Sequence, residues 1–278
     1  MEAKELNLSI VELDDVLLHE EIEHKRVDKL IERLRGDRIL KNPPIVTQVR
    51  DAGVTRYIVL DGASRSTALR ELNMSHILVQ IVDYHSPALK LESWNHLLLD
   101  MTPAALRREL DEVSCIGMVE MDEAQAKREL EERKIVAYVK FSDGRTAGLR
   151  CSSDITEQAH ALNEVVRSYE SKVELYRVAS TDLENLVADP NRLAAVMVFP
   201  RYRPDEIVNL ALNGAKVPMG ITRHIIPGRA LRVNLPLDIL ESKQSLDEKN
   251  KWLDAWLQAK IKNRNVRYYQ EPVFLFDE

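Results

Sequence analysis

Residues 57–72, YIVLDGASRSTALREL, constrain the fold of this chain more than any other segment. The apolar run over 57–60 predicts a β-strand, and an acid-glycine pair, Asp61-Gly62, follows it directly. The next residues predict a helix that begins at once, with Ser64 or Ser66 as its N-terminal cap. Because a helix start leaves backbone N–H groups unpaired and carries partial positive charge, this junction is suited to holding phosphate. An ordinary capped strand-turn-helix unit is the alternative that these residues leave open.

The side chains at this junction extend the phosphate hypothesis. Gly62 and Ala63 allow a ligand to approach the backbone closely, and Arg65 adds a cation. The carboxylate of Asp61 is suited to facing a magnesium ion. The junction therefore predicts a site that takes phosphate together with a divalent cation.

The flanking residues predict one compact α+β unit over 1–85. Apolar alternation from Leu6 predicts a first strand, and a helical pattern that begins at His24 stops near Gly36. A β-hairpin is predicted over 45–60 and a further strand over 77–82. The predicted order is β-α-β-β-α-β.

Residues 86–278 predict a second, mixed α+β domain that begins after a Ser-Pro pair. Its predicted helices lie at 89–99, 103–110, 123–133, 154–175, 204–212 and 246–261. Its predicted strands lie at 134–141, 146–150, 194–199, 231–235 and 266–276. Two tryptophans, Trp252 and Trp256, are expected to pack on one face of the last helix.

Composition and charge exclude several classes of protein. A hydrophobic content of 45% with 30% charged residues is the balance of a soluble globular protein. The net charge of −6 argues against a general nucleic-acid coat and leaves only a local basic patch open. No apolar run approaches the length of a membrane span, and residues 1–5 do not begin a signal peptide. Isolated Cys115 and Cys151 predict reduced thiols in a cytoplasmic protein.

Two further clusters carry groups suited to chemistry. Glu20, next to His19, has a carboxylate that can act as a general base towards a hydroxyl nucleophile; a solvated acidic turn is the alternative. In Thr222-Arg223-His224 the guanidinium is suited to a carboxylate or phosphate, and a polar loop is the alternative. Trp94 is a weaker candidate, since a lone tryptophan usually belongs to a core.

Several motifs occur in a fixed order along the chain: Leu18-His19-Glu20, residues 44–47, Leu60-Asp61-Gly62 with Arg65, Ser93-Trp94 with His96, Gly220-Ile221-Thr222-Arg223, and residues 228–237. With the β-α-β-β-α-β order, Asp-Gly-x-x-Arg resembles the ParB/sulfiredoxin superfamily. The whole set, in this order, more narrowly resembles the free L-serine kinases of that superfamily, of the siderophore-cluster and archaeal type. The Asp-Gly motif alone is shared by the superfamily, and the combination is far more specific.

The resemblance implies phosphoryl transfer from ATP or ADP, with magnesium, to the hydroxyl of free L-serine, which gives O-phosphoserine. It implies that Glu20 is the base and that Asp61 is a second essential acid near the metal and the transferred phosphate. The implied nucleotide-binding residues are Gly62, Ala63, Ser64, Arg65, Ser66 and Thr67. The implied amino-acid pocket consists of Trp94, Thr222, Arg223 and His224, with Arg223 as the partner of the serine carboxylate. The oligomeric state stays open, a homodimer included.

Ser64 departs from the family pattern. Many relatives carry a histidine immediately before the arginine of the Asp-Gly motif, and this chain has a serine there. A hydroxyl can cap a helix or donate to a phosphate oxygen, but it cannot carry positive charge. The departure therefore bears on the affinity for the donor and on the choice between ATP and ADP.

Two other functions within the superfamily are alternatives to the kinase. A sulfiredoxin requires a reactive cysteine in the turn, and Ala63 occupies that place. A ParB-like nucleotide-binding transcription regulator is the serious alternative, although the acidic balance offers no electrostatic footprint for DNA. ParB-like nucleotide sites also tend to show two adjacent arginines, where this chain has only Arg65.

Overall fold

A computed structural model describes residues 6–182 and 189–269. Up to residue 99 the elements are β1 (Leu8–Glu12), β2 (Val16–Leu18), α1 (His24–Asp37), β3 (Ile39–Leu40), β4 (Ile45–Asp51), β5 (Val54–Asp61), α2 (Ala63–Glu71), β6 (His76–Val82), β7 (Lys90–Ser93) and β8 (Asn95–Leu99). The later elements are α3 (Pro103–Asp111), β9 (Gly117–Glu120), α4 (Glu123–Glu131), β10 (Ala137–Phe141), β11 (Thr146–Arg150), α5 (Ile155–Tyr169), β12 (Glu174–Val178), β13 (Leu193–Val198), α6 (Pro204–Leu212), β14 (Thr222–Ile225), β15 (Leu235–Pro236), α7 (Leu237–Glu241) and α8 (Leu246–Lys262). The predicted α+β class is confirmed. Of the helices described, none combines the length and the apolar character needed to cross a membrane.

The described residues fall into two compact units. The first unit contains residues 6–18, 22–89 and 226–269, and the second contains 19–21, 90–182 and 189–225. The division predicted at residues 85 and 86 differs from this one in three places, the first being that residues 86–89 still belong to the first unit. Residues 19–21 belong to the second unit, and the C-terminal segment from residue 226 returns to the first.

The first unit is built on a five-stranded sheet in the order β1-β6-β4-β5-β2. β4 and β5 form the predicted hairpin, with Val46 opposite Val59. The predicted β-α-β-β-α-β order of the first 85 residues is present, with β2 and β3 as short additions. Apolar side chains of α1, α2 and the sheet share one core: Val27, Leu34, Val59, Ala68, Leu69 and Leu78.

Helix α8 belongs to the first unit because it packs on β1. The Asn250 side chain satisfies both backbone groups of Ile10, accepting from its N–H at 2.9 Å and donating to its carbonyl at 2.8 Å. Leu253 is fully buried in the core of this unit, and Trp252 and Trp256 stack against each other and pack on that core. Sequence distance hid this return, since α8 lies more than 200 residues after β1.

The second unit is built on a six-stranded antiparallel sheet in the order β12-β8-β13-β10-β11-β9. β10 and β11 form the predicted hairpin at residues 142–145. Helix α5 is the most buried helix of this unit, with eight buried residues in its fifteen. A separate two-stranded ribbon, β7 with β14, pairs Thr222 with Ser93 and Arg223 with Glu92.

The helix predicted over residues 89–99 is wrong. These residues form β7 and β8, with Trp94 between the two strands. Every residue of β8 is buried, so the strand carries no polar alternation to reveal it. A short continuous apolar run fits a buried strand and a buried helix equally well, and here pairing on both sides of β8 decided the outcome.

Other predictions for the later chain also need correction. The helix predicted at 154–175 ends at Tyr169, and β12 follows it. Within the strand predicted at 231–235, only Leu235 pairs. Of the final strand predicted at 266–276, residues 266–269 form no strand and residues 270–276 lie outside the described residues.

Candidate functional site

Residues 19–21 join the second unit through a short parallel bridge to Val217. The Val217 N–H donates to the His19 carbonyl at 2.9 Å, and the Glu21 N–H donates to the Val217 carbonyl at 2.9 Å. This pairing fixes the backbone on both sides of Glu20. Residues 19–21, for which a solvated acidic turn was the alternative, are therefore held by backbone hydrogen bonds to Val217.

The Glu20 carboxylate is fixed through one of its two oxygens. Oε2 accepts hydrogen bonds from the Gly220 N–H at 3.1 Å and from the Thr222 hydroxyl at 3.3 Å. Among the described residues, none donates a hydrogen bond to Oε1. The side chain is thus oriented by the protein while one oxygen stays available to a ligand.

One buried histidine, His19, contacts the Thr222 hydroxyl, and a second, His224, packs against the first. His19 Nε2 lies 3.0 Å from Thr222 Oγ1, and the His19 and His224 rings meet edge-on with centroids 5.4 Å apart. Both imidazoles are nearly inaccessible to solvent. Thr222 and His224, predicted from the sequence, thereby contact the same small cluster as Glu20.

Trp94 and Arg223 stack on each other in the same unit. The Arg223 guanidinium lies 4.2 Å from the centroid of the Trp94 ring. The backbone N–H of Trp94 donates to the Ile221 carbonyl at 2.9 Å. Arg223 also contacts Glu92, its partner across the ribbon, with Nη1 and Oε2 3.5 Å apart. The sequence did not single out Glu92. Its carboxylate partly offsets the charge of Arg223, the arginine that was expected to bind the serine carboxylate.

In the first unit, the strand-turn-helix junction needs a glycine at residue 62. Gly62 has a φ of +100° and is the residue that precedes helix α2. A Cβ there would lie 2.9 Å from Arg65 Nη2 and 3.0 Å from the backbone of Pro44. The predicted capping by Ser64 or Ser66 is wrong, because the helix begins at Ala63 with no side-chain cap.

Most polar side chains at the junction are already used by the protein. Arg65 Nη1 donates to the carbonyls of Asn42 and Pro43, each at 2.9 Å, and the Ser66 and Thr67 hydroxyls donate to carbonyls one turn earlier in the chain. Ser64 is different, since its hydroxyl makes no hydrogen bond with any described residue.

The helix start also leaves two amides uncommitted. The Arg65 and Ser66 N–H groups both donate to the Gly62 carbonyl. The N–H groups of Ala63 and Ser64 open the helix and have no acceptor within the described residues. A ligand at this point would therefore meet two backbone donors and one hydroxyl, all from residues 63 and 64.

Asp61 is paired with two arginines through a single oxygen. Oδ2 contacts Arg65 Nη2 at 3.2 Å and Arg229 Nη1 at 2.6 Å, while Oδ1 has no partner among the described residues. Burial raises the pKa of this carboxyl, but the two guanidinium groups together outweigh burial and hold its pKa below the usual value. Asp61 is therefore ionised at neutral pH, with one oxygen open.

Gln80, a buried residue of β6, holds the backbone around Arg229. Its side chain donates to the Gly228 carbonyl and accepts from the Ala230 N–H, each at 2.8 Å. These two bonds bracket Arg229 and bring it to Asp61. Sequence reasoning missed Arg229 as a site residue, although residues 228–231 are among the motifs that carry the family resemblance.

No metal site is complete on its own in residues 6–182 and 189–269, where no group of three or more His, Cys, Asp or Glu side chains could hold an ion. Asp61 Oδ1 can supply one carboxylate ligand. The neighbouring guanidinium groups of Arg65 and Arg229 would repel a lone cation. The residues therefore fit a magnesium ion that arrives with phosphate oxygens, which is the usual manner of binding for Mg²⁺ with nucleotides.

Curated proteins with related sequences are serine kinases. The chain is 26% identical over 277 residues to the ATP-dependent L-serine kinase SbnI of Staphylococcus aureus, covering 98% of each chain. It is 25% identical over 245 residues to the ADP-dependent L-serine kinase SerK of Thermococcus kodakarensis, covering 85% of this chain and 94% of that protein. No protein-family model matches the chain.

Solved structures agree on the fold. A free serine kinase in complex with AMP superposes with a TM-score of 0.71 at 19% identity, over 84% of this chain and 94% of that one. A C-terminally truncated SbnI from Staphylococcus aureus superposes with a TM-score of 0.69 at 22% identity, over 92% and 97%. The fold is thus that of the free serine kinases.

Sequence similarity extends over nearly the whole length of these relatives, and the fold agrees with theirs. The similarity to free serine kinases that the order of the motifs predicted is therefore confirmed in both sequence and fold.

Proposed function

We propose that this protein transfers the terminal phosphoryl group of ATP or ADP to the hydroxyl of free L-serine, giving O-phospho-L-serine. The observation that carries the proposal is the geometry of Glu20, whose Oε2 is held by the Gly220 amide and the Thr222 hydroxyl while Oε1 stays open. A base for a hydroxyl nucleophile must be oriented and must keep one oxygen free to accept the proton. The names of relatives matched over almost their full length support the same reaction.

In the proposed reaction, Glu20 Oε1 accepts the proton of the serine hydroxyl. The serine oxygen forms a bond to the terminal phosphorus of the donor, and the bond from that phosphorus to the bridging oxygen breaks. The products are O-phosphoserine and a nucleotide shorter by one phosphoryl group. Positioning and charge stabilisation supply most of the catalysis in such transfers, which suits a site made of fixed donors and few reactive groups.

The donor is assigned to the junction of residues 62–67. The open amides of Ala63 and Ser64 are suited to donating to phosphate oxygens. Gly62 lets the phosphate approach the backbone. Arg65 contributes positive charge while its hydrogen bonds hold the loop, and the Ser66 and Thr67 hydroxyls donate to the carbonyls of Gly62 and Ala63. Arg229 joins this assignment as a second cation beside Asp61.

A magnesium ion bound with the donor would offset the negative charge of the phosphates. Asp61 would hold it through Oδ1, the oxygen that neither arginine contacts. The two arginines keep this carboxylate ionised and fix its orientation.

The acceptor is assigned to Trp94, Thr222, Arg223 and His224. Trp94 supplies an apolar wall, and the stacked Arg223 keeps that wall in place. Thr222 acts mainly through Glu20, to which its hydroxyl already donates. His224 packs against His19 and shapes the same cluster.

Glu20→Gln tests the proposal. The amide has nearly the same shape but cannot take a proton, so we expect phosphoserine formation from labelled nucleotide and free serine to fall by about 10²- to 10⁴-fold. Nucleotide binding should change little, because the residues assigned to the donor belong to the first unit. Unchanged turnover would show that Glu20 is not the base.

Salt-sensitive DNA binding by a wild-type protein that makes no phosphoserine would favour the ParB-like regulator instead.

A further inference from the structure

Arg177 packs directly on the loop that holds Glu20. It lies on β12, an edge strand of the second unit, and its Nη2 donates to the Met219 carbonyl at 3.3 Å. A Cβ on Gly220 would lie 2.2 Å from Arg177 Cζ, 2.4 Å from Nε and 2.5 Å from Nη2. Because three atoms of the guanidinium are almost equally close, its flat face lies against the Gly220 backbone. A side chain at residue 220 would displace the guanidinium from this position.

This contact brings a cation close to the base. The Gly220 N–H donates to Glu20 Oε2, so a single residue separates the Arg177 guanidinium from the carboxylate. Gly220 also has a φ of +69°, a conformation that other residues rarely adopt. The glycine therefore serves both neighbours at once, through its amide and through its missing side chain.

The charge of Arg177 is not offset within the described residues. It makes no salt bridge there, whereas Arg223 contacts Glu92 and stacks on Trp94. An unpaired guanidinium presents a planar set of donors that matches a carboxylate. Of Arg177 and Arg223, Arg177 is therefore the one whose charge has no anionic partner among the described residues.

A buried polar atom lies on the same side of the sheet. His96 stands opposite Arg177 in the β8–β12 ladder, and its Nδ1 lies 2.9 Å from the Tyr169 hydroxyl. Its Nε2 is buried and has no hydrogen-bond partner among the described residues. Burial, with a smaller contribution from Arg177, lowers the pKa of His96 to about 3, so the ring is neutral. A neutral imidazole adds polarity beside Arg177 without adding charge.

We propose that Arg177 binds the α-carboxylate of the acceptor amino acid and so selects free amino acids over neutral alcohols. The inference rests on the proposed kinase function and deepens it. The carboxylate is favoured over the phosphoryl group because Arg177 belongs to the unit that carries Glu20, while the groups suited to phosphate belong to the other.

The test compares L-serine with L-serinamide, which lacks the negative charge, in wild type, Arg177→Met and Arg177→Lys. Serinamide is measured both as a substrate and as a competitive inhibitor of serine phosphorylation. We expect Arg177→Met to raise the KM for serine by about 10- to 100-fold, the effect of losing a charged hydrogen bond. Its kcat and the binding of serinamide should stay near wild type. The KM for serine of Arg177→Lys should lie between those of wild type and Arg177→Met, because lysine keeps the charge without the planar fork of donors.

Arg108→Met is the matched control, since Arg108 is an exposed arginine on α3 of the same unit. It should leave both acceptors unaffected. An unchanged KM for serine in Arg177→Met, or equal losses with serine and serinamide, would overturn the role of Arg177 and leave the kinase function standing. A loss confined to kcat would assign Arg177 to the phosphoryl group and would equally overturn its proposed role in binding the carboxylate. If wild type makes no phosphoserine at all, the proposed function fails first, and this inference fails with it.

Discussion

The Thr222 hydroxyl donates its one hydrogen to Glu20 Oε2, at 3.3 Å. An ionised carboxylate can only accept, so the direction of this bond is fixed. The same hydroxyl lies 3.0 Å from His19 Nε2, and with its hydrogen committed it must accept there. The network therefore places a proton on His19 Nε2, which donates to the hydroxyl. A buried histidine thus orients the threonine that orients the proposed base.

Thr222→Val tests this chain of hydrogen bonds. Valine has nearly the same shape but leaves Glu20 with one fixed donor and His19 with a buried N–H that lacks its acceptor. We expect kcat to fall about tenfold, which corresponds to about 1.4 kcal/mol of transition-state stabilisation. Steady-state kinetics with serine gives the measurement. Thr222→Ser keeps the hydroxyl and should stay within about threefold of wild type, and a valine variant as active as that control would contradict the model.

Asp61 should make stability depend on acid pH. Its folded-state pKa is lowered, so the unfolded chain binds more protons in this range and stability rises with pH. The contribution is fully present above the unfolded pKa of about 3.9 and is lost as pH falls through the lower folded value. Urea unfolding between pH 6 and pH 3 should show wild type converging on Asp61→Asn. A difference between the two proteins that stays constant over this range would be evidence against the paired arrangement.

Ser64→His should strengthen binding of the donor. The position opens helix α2 beside an uncommitted amide, and the histidine restores the residue that the family pattern carries there. A protonated imidazole near a phosphate should lower the KM for the nucleotide by about fivefold, from about 1 kcal/mol of added attraction. The gain should be larger at pH 6 than at pH 8, because an ordinary histidine titrates near pH 6.5. Ser64→Ala, which only removes the hydroxyl, should show no such pH dependence; an equal gain at both pH values would exclude a charge effect.

Leu253→Ala tests the return of the C-terminal helix to the first unit. Leu253 is fully buried in the core that also contains Ile10 and Leu78. Its truncation should lower the free energy of unfolding by about 2–5 kcal/mol. Asp254→Ala changes the exposed neighbour on the same helix and should shift stability by no more than about 0.5 kcal/mol. Chemical unfolding of the full chain compares the two, and equal stabilities would place α8 outside the core.

Local signals along the chain determined most of the first unit. The acid-glycine turn, the hairpin over 45–60 and the helix from residue 63 each depend on neighbours in sequence, so pattern alone predicted them. The order of short motifs was enough to predict the similarity to free serine kinases. The same signals named Glu20, Asp61 and Thr222 as candidates, because carboxylates and hydroxyls at loops and element starts are the groups that phosphoryl transfer requires.

Only the tertiary structure decided how those groups are held. Residues 90–99 form strands because long-range pairing outweighs a local pattern that a helix also fits. Glu20 depends on residues 200 positions away, and Asp61 on Arg229, 168 positions away, for the contacts that fix one oxygen and leave the other open. No local periodicity encodes such contacts, since they exist only after distant segments have packed. The sequence determined which side chains are suited to the reaction, and the folded chain decided which of their atoms remain free to perform it.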